Sequence, residues 1–427
     1  MSSVAVLVEL VRSGTAGGHV KCWERFAESA ARLPGTAPHG AGGPGLDLTV
    51  YFLGDRERAE TLAPHVRLVT LEPVLSTAAL TSADGAEDAT DLTPYHPGLA
   101  ALLPRHDVWH LTHSFGYAAT AVRLARRTRT ARRPRIVGSV HTDVPALAAV
   151  YARYLARRRM PAGLLADRAA RWAESGMRHR RDRLLRCCEQ VLVPPAARAE
   201  LARTLGADRL RPLRRGIDHD RFRPDPAARA RLARAYGVPA DRPLLLFAGR
   251  LDASKGVPLL AESVRLLRER GRRAHLVTAG AGAETDAVRR CLGPDVTLLG
   301  PLPQERLAHV YAGCDLFVFP SRTETAGNVV AEAMASGLAV VLPEGATTTR
   351  WLAAPGRDGV VVPRDDPRDW ADALCALIDR PRRLDAVRRH AAATARRTHP
   401  SWDRVLAEDL LPVWLGPPGR GGTPRPM

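Results

Sequence analysis

Short runs of apolar residues alternate along this chain with longer stretches whose apolar positions recur at helical spacing. Runs of about four to eight apolar residues predict buried strands, and the longer stretches predict amphipathic helices. The predicted strands of the first half are Ser3–Leu10, Asp47–Leu53, Val66–Leu71, Asp107–Leu111, Arg135–His141 and Gln190–Pro194. Its predicted helices are Val20–Arg32, Tyr117–Arg129 and Val144–Cys188.

The second half repeats the same alternation. Its predicted strands are Pro243–Ala248, Ala274–Ala279, Val296–Leu299, Leu316–Pro320, Ala339–Leu342 and Gly359–Val362. Its predicted helices are Val257–Arg270, Glu284–Cys291, Gln304–Ala312, Asn328–Ala335 and Pro367–Ile378. Two successive βα series predict an α/β protein with two Rossmann-like, doubly wound parallel sheets. Ligands bind at the carboxyl ends of such strands, so two facing sheets would enclose a central cleft.

The length of 427 residues is too great for one typical core and indicates two domains. Prolines interrupt the pattern between Arg214 and Pro243, which places the join there. We therefore expect an N-terminal domain over residues 1–215 and a second domain over residues 216–398. Residues 416–427 are rich in proline and glycine and are expected to be disordered.

The overall composition is that of an ordinary globular protein, with 45% hydrophobic and 25% charged residues. The six cysteines show no C-x-x-C or Cys/His spacing, so neither a disulfide framework nor a zinc site is predicted. No apolar stretch reaches the roughly 18 residues that span a bilayer, and the N-terminal run lacks the basic leader of a signal peptide. We expect a cytoplasmic protein, or a peripheral one on the inner face of the cell membrane.

The formal net charge of +18 comes almost entirely from arginine, because Lys21 and Lys255 are the only lysines. Such a bias towards one basic residue weakens net charge as an argument for an acidic partner. The excess is nevertheless local, since the segment from Arg123 to Arg186 has 18 arginines and four acidic residues. A solvated helix face explains this segment most simply, and contact with an anionic membrane surface is the functional alternative. No nucleic-acid partner is expected, because aromatic residues are few and no recognition motif is present.

One segment places two carboxylates around a helix start. Glu324 lies in the loop after the strand Leu316–Pro320, and Glu332 lies eight residues later in a predicted helix. The small residues between them are Thr325, Ala326, Gly327 and Asn328. At such a helix start, free backbone N–H groups and the positive dipole end can face an anion. The arrangement suits a nucleotide-sugar, which carries both phosphates and hydroxyls; the plainer interpretation is a strand–loop–helix unit with solvated glutamates.

A second segment, residues 249–256, reads Gly-Arg-Leu-Asp-Ala-Ser-Lys-Gly between a predicted strand and a helix. Gly249 and Gly256 allow tight turns. Arg250 offers a planar fork and Lys255 a point charge, and both suit a diphosphate. Lys255 also stands out because the chain otherwise uses arginine. Surface placement of both charges is the plainer interpretation.

A glycine-rich turn follows the first predicted strand. Gly17 and Gly18 lack side chains, so a ligand phosphate could approach the backbone at the start of the next helix. His19 follows them and is a candidate on the acceptor side. The spacing is not G-x-G-x-x-G, and turns of this kind are common without any ligand.

The segment Ser139-Val-His-Thr-Asp143 follows another buried strand. His141 could take a proton from an attacking hydroxyl or form a hydrogen bond with a transferred sugar, and Asp143 could orient acceptor groups. His113 is a weaker rival at the end of a neighbouring strand. A structural histidine is the plainer interpretation. Asp218 and Asp220 form a D-x-D pattern, but they lie at the domain join, where we expect a structural turn and no metal.

Taken together, these pieces resemble the GT-B glycosyltransferases of family 4, the large retaining group. The segments that carry the resemblance are residues 214–224, residues 249–256, and the E-x7-E segment Thr323–Gly337. The family's C-terminal helix, which crosses back onto the first domain, is matched by Ser401–Leu411, and we assign it to residues 399–415. The resemblance covers nearly the whole chain. Ala326 stands where many relatives carry an aromatic residue, so packing against the donor sugar is expected to differ.

The resemblance also implies roles for individual residues. Arg250 and Lys255 would bind the donor diphosphate and stabilise the departing nucleotide. Glu324 would contact hydroxyls of the transferred sugar, and Glu332 would hold the ribose. The remaining implied positions are Ala326 and Gly327 with their N–H groups near the donor, Gly17 and Gly18 beside the phosphate and acceptor, and His141 at the reacting centre. The family implies no metal and no cofactor, and it implies domain closure around the donor.

The sequence thus predicts a retaining hexosyltransferase that uses a UDP- or GDP-sugar and a hydroxyl acceptor, which could be a lipid, a glycan or a small metabolite. A nucleotide-sugar epimerase or hydrolase on the same fold is one alternative. A non-catalytic nucleotide-sugar-binding subunit is another. The charged set Arg250, Lys255, Glu324 and Glu332 favours the transferase.

Overall fold

The structure is a computed structural model that describes residues 2–13, 17–33, 45–77, 90–128, 133–141, 144–145, 148–149, 152–153, 163–324 and 326–416. Two predicted site residues, Asp143 and Thr325, lie outside the described residues. The predicted disordered tail also lies outside them, except for Gly416. The chain divides into two compact units, of which the first holds the residues up to Arg214 and those from Asp403 onward, and the second holds Arg215–Trp402.

The first unit contains an eight-stranded sheet. Its strands are β1 Ser2–Val11, β2 Leu46–Leu53, β3 Arg58–Ala63, β4 Val66–Leu71, β5 Val108–Leu111, β6 Arg135–Ser139, β7 Gln190–Val193 and β8 Leu210–Pro212. They lie in the order β3-β4-β2-β1-β5-β6-β7-β8, and every neighbouring pair is parallel except β3 with β4. The helices of this unit are α1 Gly18–Arg32, α2 Pro97–Leu102, α3 Gly116–Arg127, α4 Gly163–Leu185 and α5 Pro195–Leu205.

The second unit contains a six-stranded sheet in which all neighbours are parallel. Its strands are β9 Leu244–Ala248, β10 His275–Ala279, β11 Val296–Leu298, β12 Leu316–Val318, β13 Ala339–Pro343 and β14 Val360–Val362, in the order β11-β10-β9-β12-β13-β14. Its helices are α6 Ala228–Tyr236, α7 Val257–Glu269, α8 Thr285–Leu292, α9 Gln304–Gly313, α10 Asn328–Ala335, α11 Pro367–Ile378 and α12 Pro381–Thr398.

In both sheets the first strand of the unit lies in the interior, and later strands are added on both sides of it. This is the doubly wound arrangement. In the first sheet the direction reverses between β1 and β5, and in the second it reverses between β9 and β12. The central strands are apolar along their whole length because both of their faces are covered; all residues of β9 and β13 are buried. The predicted pair of Rossmann-like parallel sheets is therefore confirmed.

Some elements differ from the sequence prediction. Strands β3 and β8 were not predicted, because β3 is a polar edge strand and β8 has only three residues. Helices α2, α5, α6 and α12 were also missed, although α12 has apolar residues at helical spacing. The strand predicted over Arg135–His141 ends at Ser139, so His141 lies in the following loop. The single helix predicted over Val144–Cys188 is wrong in its extent, since the described helix is Gly163–Leu185.

The end of the described chain returns to the first unit as a helical segment, α13, formed by Trp402–Val405, Leu406–Leu410 and Leu411–Leu415. Its anchor is Asp409, whose buried carboxylate accepts hydrogen bonds from the backbone N–H of Arg214 at 2.8 Å and from the Arg214 Nη2 at 2.5 Å. Trp414 is fully buried and donates from Nε1 to His110 Nδ1 at 2.8 Å. These contacts hold α13 against the sheet that contains β5.

Replacing Asp409 with alanine should destabilise the first unit. We expect the free energy of unfolding to fall by about 2 kcal/mol, because the Arg214 guanidinium and its backbone N–H lose a buried acceptor. Urea unfolding followed by circular dichroism measures the loss. The control is Asp403→Ala, which removes the exposed ion pair with Arg32 and should change stability by less than about 0.5 kcal/mol. Equal losses in the two variants would contradict the anchoring role of Asp409.

Candidate functional site

Two loops leave the second sheet side by side at its point of reversal. Strands β9 and β12 are hydrogen-bonded neighbours, with Leu245 paired to Leu316 and Leu246 paired to Phe317. The loop after β9 carries residues 249–256, and the loop after β12 leads to α10. Since parallel strands end at the same edge, both segments that sequence motifs singled out emerge at one crevice.

The loop after β9 folds into a tight turn around Asp252. The Asp252 Oδ1 accepts hydrogen bonds from the Lys255 backbone N–H at 3.1 Å and from the Ser254 hydroxyl at 2.5 Å. Gly256 then adopts a φ of 73°, and a Cβ at this position would lie 2.9 Å from Pro320 Cγ. Only glycine fits both the left-handed turn and the close approach of the second loop. Asp252 was not singled out from the sequence, although it lies inside the motif.

Lys255 and Glu324, two predicted site residues, form an ion pair across the crevice. The Lys255 Nζ lies 2.6 Å from Glu324 Oε1, and the side chains are 16% and 21% exposed. The Ser321 hydroxyl lies 3.4 Å from the same carboxylate oxygen. Arg250 is more open, with 45% of its side chain exposed and its Nε 3.5 Å from Asp252 Oδ2. The crevice therefore holds two cations, each paired with an acid, and the acid beside Lys255 could itself bind hydroxyls.

Two contacts fix the backbone just before α10. Gly327 precedes the helix with a φ of 63°, and a Cβ there would lie 2.4 Å from Thr348 Cγ2. The Ala326 carbonyl accepts a hydrogen bond from Trp351 Nε1 at 2.7 Å. The Asn328 Oδ1 is buried and has no hydrogen-bond partner within the described residues. The Val330 N–H donates to the Gly327 carbonyl at 3.0 Å. The backbone N–H groups before Val330 have no acceptor inside the helix, so this end of α10 can receive an anion.

Glu332 lies one turn further along α10 and is half-buried. Its neighbour is Tyr311 on α9, a fully buried residue. Burial first, and then the negative charge of Glu332, raise the pKa of the Tyr311 phenol well above its ordinary value. Tyr311 thus stays neutral beside the carboxylate. The sequence pattern did not single out Tyr311, because it looks like an ordinary core residue of an amphipathic helix.

In the first unit, the predicted glycines lie at the start of α1. Gly17 is the N-cap residue of α1, and Gly18 is its first residue. A Cβ added at either position would meet no atom within 4 Å. Packing against the described residues therefore does not require glycine here.

Three histidines predicted from separate motifs come together near this helix start. The ring of His19 lies 4.3 Å from that of His113 and 4.4 Å from that of His141, measured between centroids. His141 is 3% exposed, and its Nε2 lies 2.8 Å from the Ser139 hydroxyl. The His113 Nδ1 lies 3.0 Å from the Thr112 hydroxyl, and burial lowers the pKa of His113 to about 3. His113 is therefore neutral at physiological pH.

A small, open cavity lies beside two of these histidines. Its polar lining comes from Thr112, His113, Ser114, Ser139, His141 and Arg181. Its apolar lining comes from Leu111, Val140, Val144, Leu184 and Leu185. Arg181 is committed to Asp182 at 2.9 Å and to Glu200 at 2.7 Å, so the hydroxyls and imidazoles are the groups that a small polar ligand would meet.

Glu9, at the carboxyl end of β1, is a residue that the sequence reasoning passed over. It is completely buried and accepts hydrogen bonds from the backbone N–H groups of Phe115 at 3.3 Å and Ala118 at 2.9 Å, at the start of α3. Burial, opposed by these hydrogen bonds, raises its pKa to about 8. A lone acid inside an apolar strand run was the signal that could have identified it.

The D-x-D pattern at the domain join forms a turn, as expected. The Asp218 Oδ1 accepts from the Arg221 backbone N–H at 3.0 Å, and its carbonyl accepts from Phe222 at 2.8 Å. Among the described residues, no group of three or more histidine, cysteine or acidic side chains could hold a metal ion. Within the same part of the chain, no helix is both long and apolar enough to cross a bilayer.

Comparison with known proteins finds one family match inside the second unit and several partial sequence relatives. Residues 242–380 match the model of the family described as Glycosyl transferases group 1. The D-inositol 3-phosphate glycosyltransferase 2 of Catenulispora acidiphila is 36% identical over 239 residues, which cover 50% of this chain and 55% of that protein. The sulfoquinovosyl transferase SQD2 of Arabidopsis thaliana is 33% identical over 162 residues, covering 37% of this chain and 31% of that protein.

Solved structures match nearly the whole chain. Sucrose-phosphate synthase from Thermosynechococcus elongatus has a TM-score of 0.65 at 17% identity, covering 96% of this chain and 97% of that one. Anabaena HepE, in complex with UDP and glucose, has a TM-score of 0.64 at 17% identity, covering 96% and 99%. At this identity the likeness concerns the fold, and it confirms the predicted GT-B fold.

The sequence matches to the curated relatives are partial. They span 55% of the Catenulispora protein and 53% of the D-inositol 3-phosphate glycosyltransferase of Xylanimonas cellulosilytica. Over residues 242–380 the chain matches the Glycosyl transferases group 1 model, so the expected resemblance to glycosyltransferases is confirmed for that part of the chain. These relatives also support the prediction of a transferase.

The buried Glu9 predicts a specific dependence of stability on pH. Its folded-state pKa of about 8 lies above the ordinary value of 4.5, so the folded state binds the proton more tightly than the unfolded state. Stability should therefore fall as pH rises from about 4.5 to 8. Glu9→Gln should flatten this fall and raise the melting temperature at pH 8, as measured by thermal unfolding across pH. Glu72→Gln, at an exposed position, is the control; identical profiles for wild type and Glu9→Gln would contradict the assignment.

Proposed function

We propose that the protein is a retaining glycosyltransferase of family 4 that moves a hexose from a UDP- or GDP-sugar to a hydroxyl acceptor. The observation that carries this proposal is the crevice between β9 and β12. There Arg250, the Lys255–Glu324 ion pair and the start of α10 converge at one sheet edge. Cations and free N–H groups suit the diphosphate, and a carboxylate beside them suits the sugar hydroxyls.

When a donor binds, Lys255 would exchange its partner Glu324 for the donor diphosphate. The Lys255 Nζ donates a hydrogen bond to Glu324 Oε1 at 2.6 Å. A diphosphate carries more charge than one carboxylate and would draw the ammonium group towards itself, together with the open Arg250 guanidinium. Glu324 would then be released to accept hydrogen bonds from hydroxyls of the transferred sugar. Sugar recognition would thereby be coupled to the arrival of the phosphates.

The rest of the donor would lie along the start of α10. We propose that the backbone N–H groups of Ala326 and Gly327 lie close to the donor, and that Thr325 and Asn328 also bind it. Glu332 would hold the ribose hydroxyls, because it lies one turn further along the same helix. Two neighbours in fold support a nucleotide donor: HepE is in complex with UDP and glucose, and starch synthase IV from Arabidopsis thaliana is bound to ADP and acarbose.

The acceptor would bind at the histidine cluster of the first unit. We propose that His141 meets the reacting hydroxyl, with His19, His113 and Asp143 around it and with Gly17 and Gly18 leaving room for the ligand. In the reaction the acceptor oxygen bonds to the anomeric carbon, and the bond from that carbon to the diphosphate breaks. The hydroxyl proton passes to His141 or to the departing phosphate, and the positive charges of Arg250 and Lys255 stabilise the leaving nucleotide.

We also propose that the protein works in the cytoplasm and contacts the inner face of the cell membrane as a peripheral protein. The support is the excess of arginine between Arg123 and Arg186. No metal or cofactor has a part in this proposal. The names of the relatives describe the acceptors of those proteins. For this chain we propose only that the acceptor is a hydroxyl compound.

Donor binding can be measured without knowing the acceptor. In a thermal-shift screen of UDP-, GDP- and ADP-sugars, the UDP or GDP series should raise the melting temperature, because a ligand of the folded state stabilises it. Lys255→Met and Arg250→Met should each weaken binding at least about tenfold, since each removes a charge-assisted hydrogen bond. Arg289→Met on α8, which loses only an exposed ion pair with Asp286, is the control. Unchanged donor affinity in both site variants would refute the donor assignment.

The catalytic assignments need a second measurement. Once a donor is known, transfer to a panel of hydroxyl acceptors is followed by mass spectrometry, which also distinguishes transfer from epimerisation or hydrolysis. Glu324→Gln and His141→Ala should each lower kcat about 100-fold or more. His141→Ala should leave the donor thermal shift unchanged, because the diphosphate residues belong to the other unit. Full activity in either variant would exclude that residue from catalysis.

A further inference from the structure

We propose that the outer face of α4 docks the protein on an anionic lipid bilayer. This inference rests on the membrane contact proposed above and assigns that contact to one face of a single helix. The face, called here the α4 stripe, consists of Arg168, Arg171, Trp172, His179 and Arg183, together with Arg186 directly after the end of the helix. All six residues are exposed, and their spacing of three, four and seven positions places them on one side of the helix.

The positive charge of the α4 stripe is not neutralised by the helix itself. The acidic residues of α4 bind other arginines: Asp167 lies 2.9 Å from Arg153, Glu174 lies 2.6 Å from Arg178, and Asp182 lies 2.9 Å from Arg181. Within the described residues, the four arginines of the stripe take part in no ion pair. The stripe therefore presents a net positive surface that an anionic partner would complement.

A tryptophan in the middle of this surface distinguishes it from a solvated helix face. Trp172 has 77% of its surface exposed, the largest value among the exposed large hydrophobic residues of the described chain. Water solvates arginine well, but exposure of an indole is unfavourable. Tryptophan between basic residues is typical of the interface of a bilayer, where the ring lies at the headgroup level and the cations meet lipid phosphates.

Helix α12 provides an internal comparison. It also exposes arginines, among them Arg382, Arg383, Arg389 and Arg396, but no large apolar residue accompanies them. Exposed arginines are thus present on both helices, but only α4 combines them with an exposed indole among the described residues. If the combination matters, the two helices should differ in their affinity for lipid.

The inner side of α4 connects the α4 stripe to the candidate acceptor site. Leu184 and Leu185 line the cavity beside His141, and the Arg180 Nε donates to the Ser114 carbonyl at 2.5 Å. One helix, about 10 Å across, therefore separates the docking surface from the cavity. A protein docked through α4 would hold this cavity at the bilayer surface, so the class of acceptor that fits is a hydroxyl on a membrane-anchored lipid.

Vesicle co-sedimentation tests the docking without any donor or acceptor. The wild-type protein should bind phosphatidylglycerol vesicles at low salt and should bind pure phosphatidylcholine vesicles at least about tenfold more weakly, with binding lost as salt is raised. The variant Arg168→Gln/Arg171→Gln/Arg183→Gln/Arg186→Gln should lose at least about tenfold in affinity for phosphatidylglycerol. Trp172→Ala should lose affinity while the salt dependence remains.

The matched control is Arg382→Gln/Arg383→Gln/Arg389→Gln/Arg396→Gln, which removes the same charge from α12. It should bind vesicles like the wild type, and circular dichroism should show that all variants are folded. Equal losses in the α4 and α12 variants would overturn the proposal in favour of a general charge effect. Failure of the wild type to bind, or binding to duplex DNA in preference to vesicles, would overturn it as well. None of these results depends on donor binding, so a failure here is distinguishable from a failure of the proposed transferase function.

Discussion

The reversal of strand order within each parallel sheet is the constraint on which the rest of this structure depends. Where two adjacent strands have connections that leave in opposite directions, no helix covers the carboxyl edge between them, and a crevice remains. The second sheet has this crevice between β9 and β12, and the first has it between β1 and β5. Lys255 and Glu324 follow β9 and β12, and His19 and His113 follow β1 and β5, so the strand order determines which side chains meet.

At the second crevice, one ion pair joins the loop after β9 to the loop after β12. Lys255 and Glu324 are far apart in the sequence but bonded at 2.6 Å, and Gly256 brings the same loops into contact at Pro320. Exposed pairs contribute little to stability, and a pair that is only about one-fifth exposed contributes modestly. The pair therefore matters less for stability than for the local charge, because it places an acid directly beside the Lys255 ammonium group.

Sequence reasoning predicted the central strands because burial on both faces leaves a continuous apolar run, and it missed β3 because an edge strand needs no such run. Arg250 and Lys255 could be predicted because a short loop carries both charges at a fixed spacing. Tyr311 could not be predicted as a site neighbour, because its pattern is that of a core residue and its contact with Glu332 depends on how two helices pack. Glu9 left one signal, a lone acid in an apolar run, but its contacts with the start of α3 depend on the tertiary fold. The meeting of His19, His113 and His141 likewise depends on strand order, which periodicity alone does not determine.

The return of α13 to the first unit has a consequence for biogenesis. The second unit, Arg215–Trp402, is in effect an insertion within the first, whose last strand ends before residue 215 and whose remaining helix comes after residue 402. During synthesis the second unit can fold as soon as it leaves the ribosome, whereas the first must wait with Arg214 and His110 lacking their partners Asp409 and Trp414. The first unit is thus begun early in translation and completed only when α13 has been made. During that interval its unpaired surface is exposed to chaperones.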